Sequence, residues 1–464
     1  VNAYYAFVTA PQTQQGTGIS QPENEAGTMN NLQQATPETY RLMALEHLRR
    51  GEAELAEQCF ARLHGITPDD VQALQFLADC HLARNDHAKA IKLLRDADRV
   101  KPEDPAVLSQ LGSVQLAAGD FSAAAVSLGA ALARTPQAFI ARLQLGIALE
   151  QLGHAHEALL AYFTAVRTAQ LNGRWLDDAT TAPVLRAVVK YAMNYVNEGR
   201  KRLFNEVLAP LRQRYGMSEL ARVERCLAIY LGEQPMSVPD QRQKPKFLYF
   251  PDIPSQPFYP RERFPWLEAL EATTGAVREE LRAVLTKDRQ LEPFLGVQSP
   301  EEVGEMLRSS NDRTAAWDAY FFYRHGKRYD ANCAACPQTT SVLDTLPLVR
   351  IRDHAPETLF SVLSPGAHIL PHTGVTNTRL VTHLPLIVPP DCAIRVGGEN
   401  HAWQEGHCVT FDDTFVHEAW NRSGETRVVL ILDSWNPDLS EAERLAVTDL
   451  VGAIGDFNQM SGPT

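Results

Sequence analysis

A chain of 464 residues is too long for one ordinary core, and its 44% hydrophobic and 22% charged content is globular. The formal net charge of -12 speaks against a general nucleic-acid binder, and no apolar run reaches the roughly eighteen residues of a membrane span. Seven scattered cysteines suit a reducing, cytoplasmic setting better than a disulfide scaffold.

Residues 1–35 are rich in Gln, Asn, Thr, Gly and Ala and carry few apolar anchors, so a mobile tail is expected there. The opening stretch, VNAYYAFVTAPQTQQGTG, has no basic segment followed by an apolar one, so it does not read as a secretory signal.

A period of 34 residues then sets in. It relates Pro68, Pro102 and Pro136, and likewise Gly51, Asn85, Gly119 and Gly153. Ala44, Ala78, Gly112 and Gly146 keep the same spacing, as do Ala56, Ala90, Ala124 and Ala158. Helical hairpins explain the pattern. Small residues let two helices approach, Gly or Asn tolerates a positive φ at the turn, and Pro stops the second helix. The period resembles the tetratricopeptide repeat, which implies an all-α solenoid of four repeats over residues 36–172. Such a solenoid offers a concave surface for a peptide or protein partner; the alternative is an array that only packs on a neighbour or dimerises.

Residues 173–243 lose the period. WLDDATTAPVLRAVVKYAMNYVNEG, RKRLFNEVLAPLRQRYG and SELARVERCLAIYLG read as further amphipathic helices that extend and cap the solenoid. Pro and charge dominate PMSVPDQRQKPK, which places the domain boundary near 244.

Beyond it, over 244–464, the texture changes. KFLYFPDIPSQPFYP reads as strand and turn, and FPWLEALEATTGAVREELRAVL as one or two helices. AYFFYR, TLFSVL, RLVTHLPLIV, AIRVG, HCVTFD and RVVLILDSW read as short strands between turn signals, which predicts a sandwich or jelly roll. Ser440 and Glu443 form a capping box for a last helix.

Within this region, His372 and His417 lie 45 positions apart in strand-like sequence, and Arg427 follows the second by ten. Neutral imidazoles suit a first-row metal such as iron, and a guanidinium suits a carboxylate held by two hydrogen bonds. Each residue also has an ordinary reading: a histidine satisfied in a strand, or an arginine paired with Asp433 on the same strand face. Asp412 and Asp413 read as a turn or supporting pair rather than as metal ligands. Cys333 and Cys336 could form a zinc half-site or redox pair, belong to a lid segment, or be unpaired loop thiols. Neither a phosphate-binding GxxxxGK[ST] nor a serine-hydrolase GxSxG motif occurs.

The run HTGVTNTRLVTHLPLIVP, followed by WQEG, FDDTFVHEAWN and RVVLILDSWNP, resembles the aspartyl/asparaginyl β-hydroxylase family over about residues 246–455. The resemblance implies a dioxygenase dependent on Fe(II), 2-oxoglutarate and O2, built on a double-stranded β-helix. By matched position it implies iron ligation by His372 and His417. Gly374 stands where most such oxygenases carry a carboxylate, and water would take that place. Arg427 would clamp the 2-oxoglutarate carboxylate with Ser361, His383 would lie near the cosubstrate, and Arg379 would contact the substrate. Alternation puts Arg379, Val381 and His383 on one strand face. Val381 and Leu359 stand where the animal enzymes carry Arg and Lys. The expected reaction is hydroxylation of an aspartyl or asparaginyl residue of a peptide or protein presented by the repeats. The alternatives are a free or carrier-bound amino acid or lipid acyl chain, or an adaptor whose oxygenase domain is vestigial.

Overall fold

The structure, a computed structural model, describes residues 36–287, 291–296, 304–309 and 315–462. The expected tail lies outside them. The chain forms two compact units, Val1–Arg200 with Phe457–Thr464, and Lys201–Asp456.

The first unit carries four helical hairpins: α1 (Pro37–Arg49) with α2 (Ala53–Ile66), α3 (Val71–Ala83) with α4 (His87–Val100), α5 (Pro105–Ala117) with α6 (Phe121–Arg134), and α7 (Phe139–Gln151) with α8 (Ala155–Leu171). Each repeating residue type does its expected job. Gly51, Asn85, Gly119 and Gly153 all have positive φ at the turns. Ala56, Ala90, Ala124 and Ala158 are fully buried. A Cβ at Gly112 would lie 2.6 Å from Leu128 Cγ, and one at Gly146 2.7 Å from Tyr162 Cδ1, so only glycine admits that approach. The three prolines fall two residues beyond α2, α4 and α6.

The next segment departs from expectation. The first two predicted helices merge into one, α9 (Arg186–Tyr215), which is followed by α10 (Ala221–Tyr230). Gly199 does not break α9; a Cβ there would meet Leu159 Cδ1 at 2.6 Å, so the glycine serves close packing. The units also part at Arg200/Lys201, within α9, rather than near 244. The reason is a shared core. Phe204, Leu208, Leu220, Val223 and Leu227 pack with Leu248, Phe250 and Ile351, and with Ala446, Val447 and Leu450 of the last helix, α15 (Glu441–Met460). The capping box opens α15 as predicted: Glu443 N–H donates to Ser440 Oγ at 3.2 Å, and Ser440 N–H to Glu443 Oε2 at 2.9 Å.

The second unit contains two antiparallel sheets. The first is ordered β1 (Glu292–Pro293), β3 (Trp317–Arg324), β5 (Thr358–Leu363), β12 (Arg427–Trp435), β7 (Arg379–Ile387) and β10 (Val409–Phe411), with β4 (Lys327–Arg328) on β3. The second is ordered β2 (Leu307–Ser309), β6 (Ala367–His372), β11 (His417–Asn421), β8 (Cys392–Val396) and β9 (Glu399–Ala402). From β5 to β12 the chain alternates between the two sheets except at the β8–β9 hairpin, the winding of a jelly roll. Val381, Val429 and Phe411 of the first sheet pack with Ile369, Ile394 and Ala419 of the second. The other face of the first sheet is covered by α11 (Leu267–Ala272), α12 (Thr274–Lys287), α13 (Asp330–Ala335) and α14 (Pro337–Leu343).

Two local expectations need correction. KFLYFPDIPSQPFYP forms isolated bridges, Leu248 to Thr376 and Phe258 to Phe411, and no strand. Its prolines withdraw N–H donors that a ladder needs. Cys333 and Cys336 are not loop thiols and are not joined in a disulfide: both are buried, on α13 and at its end, within the core that α12 and α14 build over the sheet.

Candidate functional site

Antiparallel pairing of β6 and β11 sets His372 directly opposite His417, which closes their 45-residue separation. Their ring centroids are 4.1 Å apart. His372 Nδ1 lies 2.8 Å from the Leu370 carbonyl, and His417 Nδ1 3.0 Å from the Phe415 carbonyl. A carbonyl only accepts, so each Nδ1 carries the proton and each Nε2 keeps its lone pair. Burial, with His417 nearby, pushes the His372 imidazole down to about 4; burial also lowers His417. Both rings are therefore held neutral, the state a metal requires, with the backbone-carbonyl partner common behind ligating histidines.

The pair faces a cavity of about 230 Å³ between the sheets. Strand alternation turns Ser361 of β5, Arg379, Val381 and His383 of β7, and Arg427 of β12 into the same space, so all six predicted site residues converge there. Leu359, Ile369, Ile394, Ile431, Phe294 and Trp317 supply apolar wall.

Arg427 is the largest fully buried side chain. Among the described residues no carboxylate reaches it. Its closest hydrogen-bond contacts are Nη1 to the carbonyl and hydroxyl oxygens of Ser361, both at 3.5 Å, and Nε has no partner. Its guanidinium carbon sits 4.9 Å from the Trp403 ring centroid. Burial pushes its pKa down to about 10. A desolvated guanidinium without a counter-ion is costly, and an anionic ligand would relieve that cost. The Ser361 hydroxyl accepts from Trp317 Nε1 at 3.0 Å, which leaves its own proton for a ligand. His383 Nδ1 is also buried and unpartnered. Buried nitrogens without a partner thus lie at the Arg427 end.

Arg379 differs from expectation. Its guanidinium is not free: Nη1 donates to Asp433 at 2.9 Å and Nη2 to Asp413 at 3.1 Å. Asp433, the partner weighed for Arg427 from sequence, belongs to Arg379 instead, because it lies diagonally across from it on the paired strands.

The two adjacent aspartates have separate roles. Asp412 anchors the turn, accepting from the Thr414 N–H at 2.9 Å and from Gln243 Nε2 at 2.8 Å. Asp413 lines the cavity, and its carboxylate packs so closely on Gly374 that a Cβ at 374 would overlap it. Among the described residues, no three His, Cys, Asp or Glu side chains converge as a metal-binding set. Sequence reasoning missed Glu357, Trp317 and Trp403 as parts of this site, and had Asp413 as a supporting residue. Period-two alternation from Ser361 back to Glu357 was the available signal for the first; nothing local marked the others.

Two packed sheets that bring two neutral cross-strand histidines and an unpaired buried arginine to one cavity, preceded by helical repeats, define a repeat-bearing protein with a C-terminal β-domain. Residues 271–437 match the sequence model described as aspartyl/asparaginyl beta-hydroxylase, and residues 47–111 and 109–171 match two tetratricopeptide-repeat models. The chain belongs to the aspartyl/asparaginyl β-hydroxylase family. It is 32% identical over 250 residues to the aspartate beta-hydroxylase domain-containing protein 2 of Rattus norvegicus, covering 52% of this chain and 68% of that protein. The Xenopus tropicalis protein of the same name is 30% identical over 261 residues, covering 55% of this chain and 66% of that one. The aspartyl/asparaginyl beta-hydroxylase of Homo sapiens is 34% identical over 179 residues, which span 38% of this chain and 22% of the human protein.

Proposed function

We propose that the chain is an Fe(II)- and 2-oxoglutarate-dependent dioxygenase that hydroxylates an aspartyl- or asparaginyl-type residue of a peptide or protein. The observation that carries this reading is the shared cavity of the neutral His372–His417 pair and the unpaired Arg427 guanidinium. It offers two imidazole ligands for iron and one cation for a dicarboxylate. The orphaned Arg427 Nε and His383 Nδ1 fit that ligand chemistry.

In this reading His372 and His417 hold the metal through Nε2, and Leu370 and Phe415 fix the rings through Nδ1. Arg427 binds the distal carboxylate of 2-oxoglutarate, Ser361 donates its hydroxyl proton to the same group, and His383 lies beside it. Trp403 stacks under Arg427 and keeps it aimed. Bound iron with 2-oxoglutarate and O2 supplies the oxidising power for C–H hydroxylation, with succinate and carbon dioxide released. The apolar wall excludes water from the reacting carbon. Arg379 meets the substrate side through its ion-paired group rather than as a free cation. The repeats bind the peptide or protein that carries the target residue.

The test is succinate release from 2-oxoglutarate by the full chain with Fe(II) and ascorbate. Turnover that requires both iron and oxygen is expected; a well-folded chain with none contradicts the reading and leaves the repeats as an adaptor.

A further inference from the structure

The cavity walls form three strand rows with unlike ends. Glu357, Leu359 and Ser361 make one row, Arg379, Val381 and His383 the second, and Asp433, Ile431 and Arg427 the third. Ser361, His383 and Arg427 lie at one end, and the apolar Leu359, Val381 and Ile431 at the centre. Glu357, Arg379 and Asp433 occupy the other end, where Arg379 also draws in Asp413. Among the described residues, that end holds three carboxyl groups against one guanidinium.

Arg379 is already shared between Asp433 and Asp413. Asp413 lines the cavity and is only 7% exposed, and its Oδ1 is buried without a hydrogen-bond partner. Glu357 Oε1 accepts from the His325 N–H at 2.6 Å. The His325 ring, which also touches that oxygen at 2.9 Å, is itself lowered by burial. Arg324, a further cation near Glu357, is turned toward Glu292 at 3.6 Å and the Phe294 carbonyl at 3.3 Å. Burial raises Glu357 to about 7 and raises Asp433 as well, so further negative charge is unwelcome here. A substrate carboxylate would have to share Arg379 with two protein carboxylates.

We propose that this end of the cavity receives a cationic group of the substrate, an alkylammonium or guanidinium, lodged between Glu357 and the Arg379–Asp413–Asp433 cluster. The inference rests on the oxygenase reading, with the cosubstrate at Arg427. It narrows the substrate to one that carries a basic group beside the carbon to be hydroxylated, such as a basic residue next to the target or the α-ammonium of a free amino acid.

The probes are n-butylammonium, n-butylguanidinium and butyrate, titrated into the full chain and followed by NMR at about pH 8, where Glu357 is ionised. Saturating 2-oxoglutarate fills the Arg427 end. Both cations are expected to bind roughly tenfold more tightly than butyrate, with Glu357→Gln removing most of that preference. Glu357→Lys is expected to reverse it. Butyrate binding as well as the cations overturns the inference, as does cation binding unchanged in both variants. If the variants do not fold, the order of the three probes on the wild-type chain decides. The affinity for 2-oxoglutarate, compared between wild type and Arg427→Ala, tests the oxygenase reading separately. A failure there leaves the probe order to stand or fall by itself.

Discussion

Gly374 and Asp413 set the character of the candidate metal centre. Three kinds of evidence were in the sequence: the histidines, the arginine ten positions beyond the second, and the glycine where a carboxylate would complete a triad. Not legible was why glycine is required, which depends on a close approach between residues 39 positions apart. Because the Asp413 carboxylate occupies the space a side chain would need, Gly374→Asp is expected to disturb the Arg379 ion pairs and lower both melting temperature and turnover. Tighter iron binding with higher turnover would show that the two-histidine account is wrong. The two arginines should separate by readout. Arg427→Ala removes a charge-assisted contact worth about 2–5 kcal/mol, so the 2-oxoglutarate KM should rise roughly thirty-fold or more, with stability little reduced. Arg379→Ala strands two buried carboxylates and should cost about 3 kcal/mol in unfolding free energy. Equal effects on KM from both substitutions would mean that Arg379 shares the cosubstrate.

Strands and hairpins were legible where a single element carries its own pattern. TLFSVL coincides with β5 and RVVLILDSW with β12, and the 34-residue period located all four hairpins. Alternation in RLVTH placed Arg379, Val381 and His383 on the cavity face before any pairing was known. The misses have tertiary causes. Gly199 looks like a helix end until its packing on Leu159 is seen, and KFLYF looks like a strand until the prolines after it are counted against a ladder's donors. At this scale the repeat glycines make a clear prediction. Gly146→Val drives a branched side chain into the Tyr162 ring and should cost about 1–3 kcal/mol, visible as a lower first transition in thermal unfolding. An unchanged transition would mean that α7 and α8 are packed differently. Gly398, where a positive φ is not joined by a close neighbour, offers the contrast: Gly398→Ala should cost about 1 kcal/mol through backbone strain alone.

Across the whole molecule, the sequence marked a boundary near 244, where composition shifts, but folding units follow the core. The residues from 204 to 227 cover Leu248, Phe250 and the buried face of α15, and no composition signal reports such a shared interior. A fragment starting at 244 is therefore expected to aggregate, whereas one starting at Lys201 should stay monomeric and fold, as read by size exclusion and circular dichroism. A monomeric, folded 244 fragment would contradict that core assignment. If the repeats present the substrate, the 201 fragment should keep slow substrate-free succinate release and lose most hydroxylation of the native peptide. Among the described residues no helix is long and apolar enough to cross a membrane. The central claim is that one cavity holds iron on His372 and His417 and 2-oxoglutarate on Arg427. Its most direct test is an anaerobic titration of 2-oxoglutarate into the Fe(II)-loaded full chain, following the visible metal-to-ligand charge-transfer absorption. The account predicts a saturable band at one equivalent per chain, absent in His417→Ala and in His372→Ala, and needing roughly thirty-fold more 2-oxoglutarate in Arg427→Ala. No band in the wild-type chain, or an undiminished band in either histidine variant, would contradict it.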